Sequence, residues 1–160
     1  MRCDTTAVLS ATRTLGAVPR LASIHVAKGS RLPMRPLEVA EVETGKGIVG
    51  DRYHGSKHRH VTVQSAASLA EATAAFGPEI PAALTRRNLT VDSGVVPRDP
   101  GARIKVGPVL LEVVRVAAPC KLLDDTIGPG AQEALRRRAG SVCRVLAGGE
   151  IHVGDEVELG

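Results

Sequence analysis

Aromatic side chains are almost missing from this sequence. Its 160 residues hold one tyrosine (Tyr53), one phenylalanine (Phe76) and no tryptophan. The core must therefore be built from Val, Leu, Ile and Ala. A surface that binds single-stranded nucleic acid by stacking bases on aromatic rings is excluded. Cysteine is scarce too: Cys3, Cys120 and Cys143 are odd in number, far apart and without a C-x-x-C pair. That is not a disulfide framework, and it fits a reducing compartment. Long apolar runs are also absent. The longest, Val109–Pro119, is interrupted by Glu112 and Arg115, and a membrane-spanning helix needs about 18–20 apolar residues. The first residues lack an extended apolar stretch before a small-residue cleavage site, so no export signal is read and the cytoplasm is the expected location.

What is present is ordinary for a globular chain: 43% hydrophobic and 24% charged residues. The net charge of +4 comes from the first 40 residues, which carry six basic and two acidic side chains; the remainder is balanced. No general basic footprint for nucleic acid is spread over the chain. Residues 1–19 show no period and end in Val18-Pro19, so they are expected to be a flexible tail ahead of a single domain over 20–160.

From Leu21 onward the pattern is that of short strands. Period-two alternation marks Leu21–Ala27 and Leu37–Thr44, and further strands are expected at His60–Gln64, Asn88–Val91, Ile104–Val106, Val109–Val116, Val142–Leu146 and Glu156–Leu159. Helices are expected at Ser65–Phe76, with Ser68 and Glu71 at capping-box spacing, and at 128–140, where Glu133 could pair with Arg137. A short helical piece is expected at Pro81–Arg86. Many short strands with two or three small helices predict a mainly β chain, a closed β-barrel with helical decorations.

Three places could carry chemistry. Cys120 follows Pro119 and precedes Lys121. Proline stops a strand, which sets the cysteine at a rim, and a neighbouring ammonium favours the thiolate. The competing reading is a small buried hydrophobe, which suits Cys143, inside a strand pattern, better. His54, His58 and His60 lie in a polar glycine-rich stretch with Lys57 and Arg59. They could ligate zinc or iron in the manner of a cupin, although Gln64 stands where that pattern needs a glutamate. The same stretch could instead bind an anion, or be plain solvated loop. Arg86-Arg87-Asn88, between a helical piece and a strand, suits an oxyanion such as phosphate.

These pieces, in this order, resemble the MOSC domain, named for the C-terminal domain of molybdenum cofactor sulfurases. The resemblance rests on Gly47-Ile48-Val49-Gly50-Asp51-Arg52-Tyr53-His54-Gly55, Arg86-Arg87-Asn88-Leu89-Thr90-Val91, Pro119-Cys120-Lys121-Leu122 and Arg144-Val145-Leu146-Ala147-Gly148-Gly149. It covers about residues 20–160 and is nearest in length to the family's small stand-alone bacterial members. It implies a MOSC-like β-barrel that binds the molybdenum cofactor (molybdopterin), in some cases only transiently. Cys120 would be the metal ligand. Lys57, Arg59, Arg87 and Asn88, with Arg86 and Arg144, would hold the pterin phosphate. The implied activity is reduction of N-hydroxylated compounds with electrons from a separate flavin or iron–sulfur protein. A second implied role is that of a sulfur carrier using a Cys120 persulfide, with a cofactor-biosynthesis protein as partner. Molybdenum-ion and pyridoxal phosphate binding are further associations of the family. Ala117-Ala118 stand where many small members have a second cysteine, which speaks against two-cysteine redox chemistry.

Overall fold

The first strand carries an irregularity that decides which side chains reach the core. In the computed structural model, which describes residues 18–160, β1 (Leu21–Val26) pairs antiparallel with β6 (Leu89–Val91), and the register slips between Leu21 and Ser23. One extra residue at that bulge turns Leu21 to the same side as Ile24 and Val26. All three belong to the buried core, although strict alternation would place Leu21 opposite Ile24. The first 17 residues, with Cys3 and most of the expected tail, lie outside the described residues.

The other strands in chain order are β2 (Arg35–Leu37), β3 (Val39–Glu43), β4 (Gly47–Ile48), β5 (Val61–Ser65), β7 (Arg103–Val106), β8 (Val109–Val116), β9 (Ser141–Ala147), β10 (Gly149–His152) and β11 (Val157–Leu159). Eight of the eleven form one sheet in the order β11-β7-β8-β9-β5-β6-β1-β2; β10-β3-β4 form a second. The chain is thus mainly β with few helices, as expected. The sheets are not closed into a barrel: the large one has two ends, at β11 and β2. A bridge from Arg20 to Glu156 and a bond from the Leu21 N–H to the Asp155 carbonyl (2.8 Å) bring β1 beside the approach to β11 without a continuous ladder.

Register explains the two faces of the central strands. Ile24, Leu89 and Val63 lie in one row and pack in the apolar core with Leu111, Val113, Cys143 and Ile104. Each fully buried Leu or Ile of this kind contributes roughly 1.5–3 kcal/mol. The neighbouring row on the opposite face is Ser23, Thr90 and Gln64. Gln64 is wholly buried there, donating to Thr85 Oγ1 (2.8 Å) and Thr90 Oγ1 (3.0 Å). Buried amides need such partners.

Three helices form a smaller cluster at one side. In α1 (Ala66–Phe76) the N-cap is Ser65, whose hydroxyl accepts from the Ser68 N–H (3.1 Å); the Ser68–Glu71 box is not what starts it. Gly77, at φ +108°, ends the helix where predicted. Beyond Cys120 come α2 (Leu122–Thr126), which the sequence reading missed, and α3 (Ala131–Ala134). The expected helix over 128–140 shrinks to that single turn, and Glu133 pairs with Arg136 (3.5 Å), not Arg137, which takes φ +64°. Leu69, Ala72, Leu123, Ala131 and Leu135 pack the three helices together. Among the described residues no helix is long and apolar enough to cross a membrane.

Candidate functional site

Four loops converge on one cavity. The first follows β4. Its Asp51 is buried: Oδ1 accepts from the Ala27 N–H (3.1 Å) and Oδ2 from the Tyr53 N–H (3.2 Å). These bonds, with the Arg52 N–H donating to the Ala27 carbonyl (2.7 Å), bind the turn to the end of β1. A short-range carboxylate-to-backbone pattern of this kind fixes a turn that glycines alone would leave loose. The second loop, 81–88, contains a 3-10 turn at Ala82–Leu84 and delivers Arg86 and Arg87 just ahead of β6. The third runs from β8 through Ala117-Ala118-Pro119-Cys120-Lys121 into α2. The fourth, around Ser30 and Arg31, lies between β1 and β2.

Together they line a cavity of about 450 Å³ whose walls include Ser30, Arg31, Arg52, Tyr53, Arg59, Arg86, Arg87, Cys120 and Lys121. Six of these nine side chains are cations. Among the described residues no carboxylate lines the cavity. Arg87 is 4% exposed; it donates from Nε to the Ala139 carbonyl (2.8 Å) and from a terminal nitrogen to the Ala118 carbonyl (3.1 Å). Arg86, 8% exposed and at φ +67°, donates to the Leu32 carbonyl. Neither has an ion-pair partner among the described residues. Burial pushes the Arg87 guanidinium down to about 10, nearby Arg59 adds repulsion, and the Cys120 sulfur opposes the fall. Burial lowers Arg86 and Arg59 in the same direction. All remain charged at neutral pH. Arg59 Nε is buried with no hydrogen-bond partner. Buried cations without counter-ions are costly, and an anion in the cavity would relieve that cost.

Cys120 sits at this cavity as an exposed free thiol, beyond the end of β8, as its proline flank predicts. Its carbonyl accepts from the Leu123 N–H (3.0 Å) in the turn that opens α2. Cys143 is the opposite case: on β9, fully buried, its thiol pushed up to about 12 by burial.

Of the residues singled out from the sequence, the structure brings Arg59, Arg86, Arg87 and Cys120 to one cavity. Lys57 and Arg144 line a different, smaller one with His58 and Glu112, and Arg144 Nε donates to Glu112 Oε1 (2.6 Å). Asn88 is buried, with its side chain committed to Thr62 and to the His25 carbonyl. Arg52, Tyr53 and Arg31 complete the cavity and were not singled out. Arg52 and Tyr53 lie inside the Gly47–Gly55 stretch, where the signal was motif order alone. The three-histidine metal site is not formed: His54 Nε2 pairs with Glu43 (2.7 Å), His60 Nδ1 accepts from the Val145 N–H (3.0 Å), and His58 faces the smaller cavity. Among the described residues no three His, Cys, Asp or Glu side chains are grouped to hold a metal.

Comparison with known proteins identifies the family and the fold. A model of the MOSC domain matches residues 50–158. Among solved structures, the YuaD protein from Bacillus subtilis superposes with a TM-score of 0.76 at 20% identity, covering 87% of this chain and 94% of that one. YiiM from Geobacillus stearothermophilus gives 0.70 at 18% identity, covering 89% and 75%. YiiM from Escherichia coli gives 0.64 at 17% identity, covering 88% and 69%. At these identities the likeness concerns the fold alone. No functionally curated protein matches the chain significantly.

Proposed function

The chain belongs to the MOSC domain family, and from that premise we propose that the arginine-lined cavity holds the molybdenum cofactor, with the Cys120 thiolate as protein ligand to the metal. The observation that carries this reading is a cavity with six cationic side chains, no lining carboxylate among the described residues, and a free thiol at its wall. The donor set fits the group. Arg59, Arg86 and Arg87 would hold the terminal phosphate by charge-assisted hydrogen bonds. The unpartnered Arg59 Nε is one donor already desolvated for it. Cys120 would contribute its sulfur, which is exposed at the cavity wall.

When bound, such a cofactor supplies two-electron chemistry, while the protein binds and orients it. The activity we infer is reduction of an N-hydroxylated compound: the N–O bond breaks, two electrons and two protons are consumed, and an amine and water leave. A separate flavin or iron–sulfur reductase would be the electron source. Lys57, Asn88 and Arg144, which the resemblance also assigned to the phosphate, lie outside the lining of this cavity.

A second reading follows from the exposure of Cys120. An accessible thiol can accept a sulfane sulfur from a donor persulfide and pass it on, making the chain a sulfur carrier. One experiment separates the two readings. The protein and its Cys120→Ala variant are made in a host that synthesises molybdenum cofactor, then analysed for metal and for persulfide. Molybdenum near one equivalent in the first and almost none in the second supports ligation. Molybdenum absent from both, with a sulfane sulfur on Cys120, supports the carrier. Incubation with pyridoxal phosphate tests whether the cavity merely takes any phosphate ester.

A further inference from the structure

The cavity contains the chain's single tyrosine, and two guanidiniums lean on its ring. Arg52 Cζ lies 4.5 Å from the ring centroid and Arg59 Cζ 4.2 Å. The ring is itself held in place. The Tyr53 N–H donates to Asp51 Oδ2 (3.2 Å), and the Tyr53 carbonyl accepts from the Ser56 N–H (2.9 Å). The two arginines differ in what else restrains them. Arg52 also meets Asp51 Oδ1 (3.4 Å), the Met34 sulfur (3.4 Å) and the Arg86 carbonyl (3.4 Å). Arg59 has no hydrogen bond or ion pair among the described residues, and its Nε is buried without a partner. Among the described residues the ring contact is therefore the one specific interaction that holds the Arg59 head where it is.

Electrostatics make that contact necessary. Arg52, Arg59, Arg86 and Arg87 face one small volume and repel one another. A flexible side chain with no anchor would relieve the repulsion by turning to water. The negative face of an aromatic ring attracts a guanidinium and offsets part of that repulsion.

We infer that Tyr53 is a positioning residue of the anion site, holding Arg59, and secondarily Arg52, turned to the cavity before any anion arrives. This deepens the reading of the cavity as a phosphate-binding site and rests on it. The ring, not the hydroxyl, does the holding, so phenylalanine serves and an aliphatic side chain does not. Preorganised donors bind more tightly because no ordering is left to be done.

The test uses the full chain with inorganic phosphate as probe, followed by calorimetry, for wild type, Tyr53→Phe and Tyr53→Leu. In parallel, the Arg59 Nε–H resonance is followed by NMR, since a proton over an aromatic ring is displaced upfield. The expected result is an upfield Arg59 resonance in wild type and Tyr53→Phe that returns to an ordinary position in Tyr53→Leu. Phosphate affinity in Tyr53→Phe stays within about twofold of wild type, and in Tyr53→Leu it falls about tenfold. Unchanged melting temperatures in both variants separate positioning from folding. Tyr53→Leu binding phosphate as wild type does would overturn the inference and leave the anion site standing. Equal losses in both variants would overturn it in favour of the hydroxyl. An Arg59 resonance without an upfield shift in wild type would overturn it even if Tyr53→Leu failed to fold. Wild type that shows the shifted resonance but binds no phosphate would bring down the anion-site reading and this inference with it.

Discussion

Asn88 and Thr62 hydrogen-bond each other in both directions. Asn88 Oδ1 accepts from the Thr62 N–H (3.0 Å) and hydroxyl (3.2 Å), while Thr62 Oγ1 accepts from the Asn88 N–H (2.8 Å). Asn88 Nδ2 then reaches the carbonyl of His25 (3.0 Å), so one side chain joins β1 and β5 beside the start of β6. Asn88 is 1% exposed, and Arg86 and Arg87 immediately precede it. The amide thus fixes the base from which two cavity arginines project.

Asn88→Ala would strand the Thr62 N–H and the His25 carbonyl away from water. Each unsatisfied buried group costs about 1–3 kcal/mol, and networks exceed single pairs. Urea unfolding is expected to show a loss of about 2–4 kcal/mol. A loss below about 1 kcal/mol would mean that the network is replaced by water or is not needed.

Much of the fold was legible because its signals are local. Val109–Val116 reads as a strand after the Gly107-Pro108 turn and is β8, with Val109, Leu111 and Val113 buried. Two misreadings have physical causes that no local window contains. The segment 128–140 has helical punctuation, yet only Ala131–Ala134 is helical. Arg137 adopts φ +64°, its carbonyl accepting from Arg98 (3.3 Å), while Ala131, Ala134 and Leu135 are drawn into the cluster around Leu69 and Leu123. Gly149–His152 carries no strand signal of its own, yet it forms β10 because β3 lies alongside it. The site divides in the same way. Arg86, Arg87 and Cys120 are visible as short motifs with chemical reasons attached. Tyr53 draws attention only when its ring is seen under two arginines, 1 and 6 residues away in sequence. Lys57 lies between Arg52 and Arg59 in sequence but lines the other cavity.

Gly140 closes the loop between the helical cluster and β9, and its backbone runs against β5. A Cβ built there would lie 2.0 Å from the Val63 carbonyl oxygen and 2.9 Å from Gln64 Cα, at φ +84°. Backbone cannot swing aside as a side chain can. Gly140→Ala is expected to cost about 3 kcal/mol or more, or to abolish soluble expression. Gly55, at φ +86° with open space around it, is the control: alanine there costs about 1 kcal/mol of backbone strain. Equal melting temperatures for the two variants would show that β5 and the loop separate more easily than their contact implies.

His60 gives stability a dependence on acid. Its ring accepts the Val145 N–H at Nδ1 (3.0 Å), and burial lowers its pKa from the ordinary 6.5. Burial also lowers His25. A histidine held neutral in the folded state favours folding fully above about pH 6.5, where the unfolded chain is also neutral. As pH falls through 6.5 the unfolded chain takes up the proton first, and stability declines until the folded state protonates too. The urea midpoint is therefore expected to fall between about pH 7.5 and about 5.5, and to fall less in His60→Gln, which has no proton to gain there. The same decline in both proteins would remove His60 as its source.

The two described cysteines should separate by reactivity in the folded protein. Cys120 is exposed at the cavity wall, whereas Cys143 is wholly buried on β9 with its thiol pushed up to about 12. The thiolate is the reacting form, and it must be reachable. Treatment with a maleimide at neutral pH, read by peptide mass mapping, is expected to label Cys120 within minutes. Cys143 should remain unlabelled until denaturant unfolds the chain. Cavity occupancy sharpens the test. Inorganic phosphate bound among Arg59, Arg86 and Arg87 occupies the cavity that Cys120 lines, so it should slow labelling of Cys120 without affecting the rate at Cys143. Labelling of Cys120 that ignores phosphate would mean that an anion held by these arginines leaves the thiol uncovered.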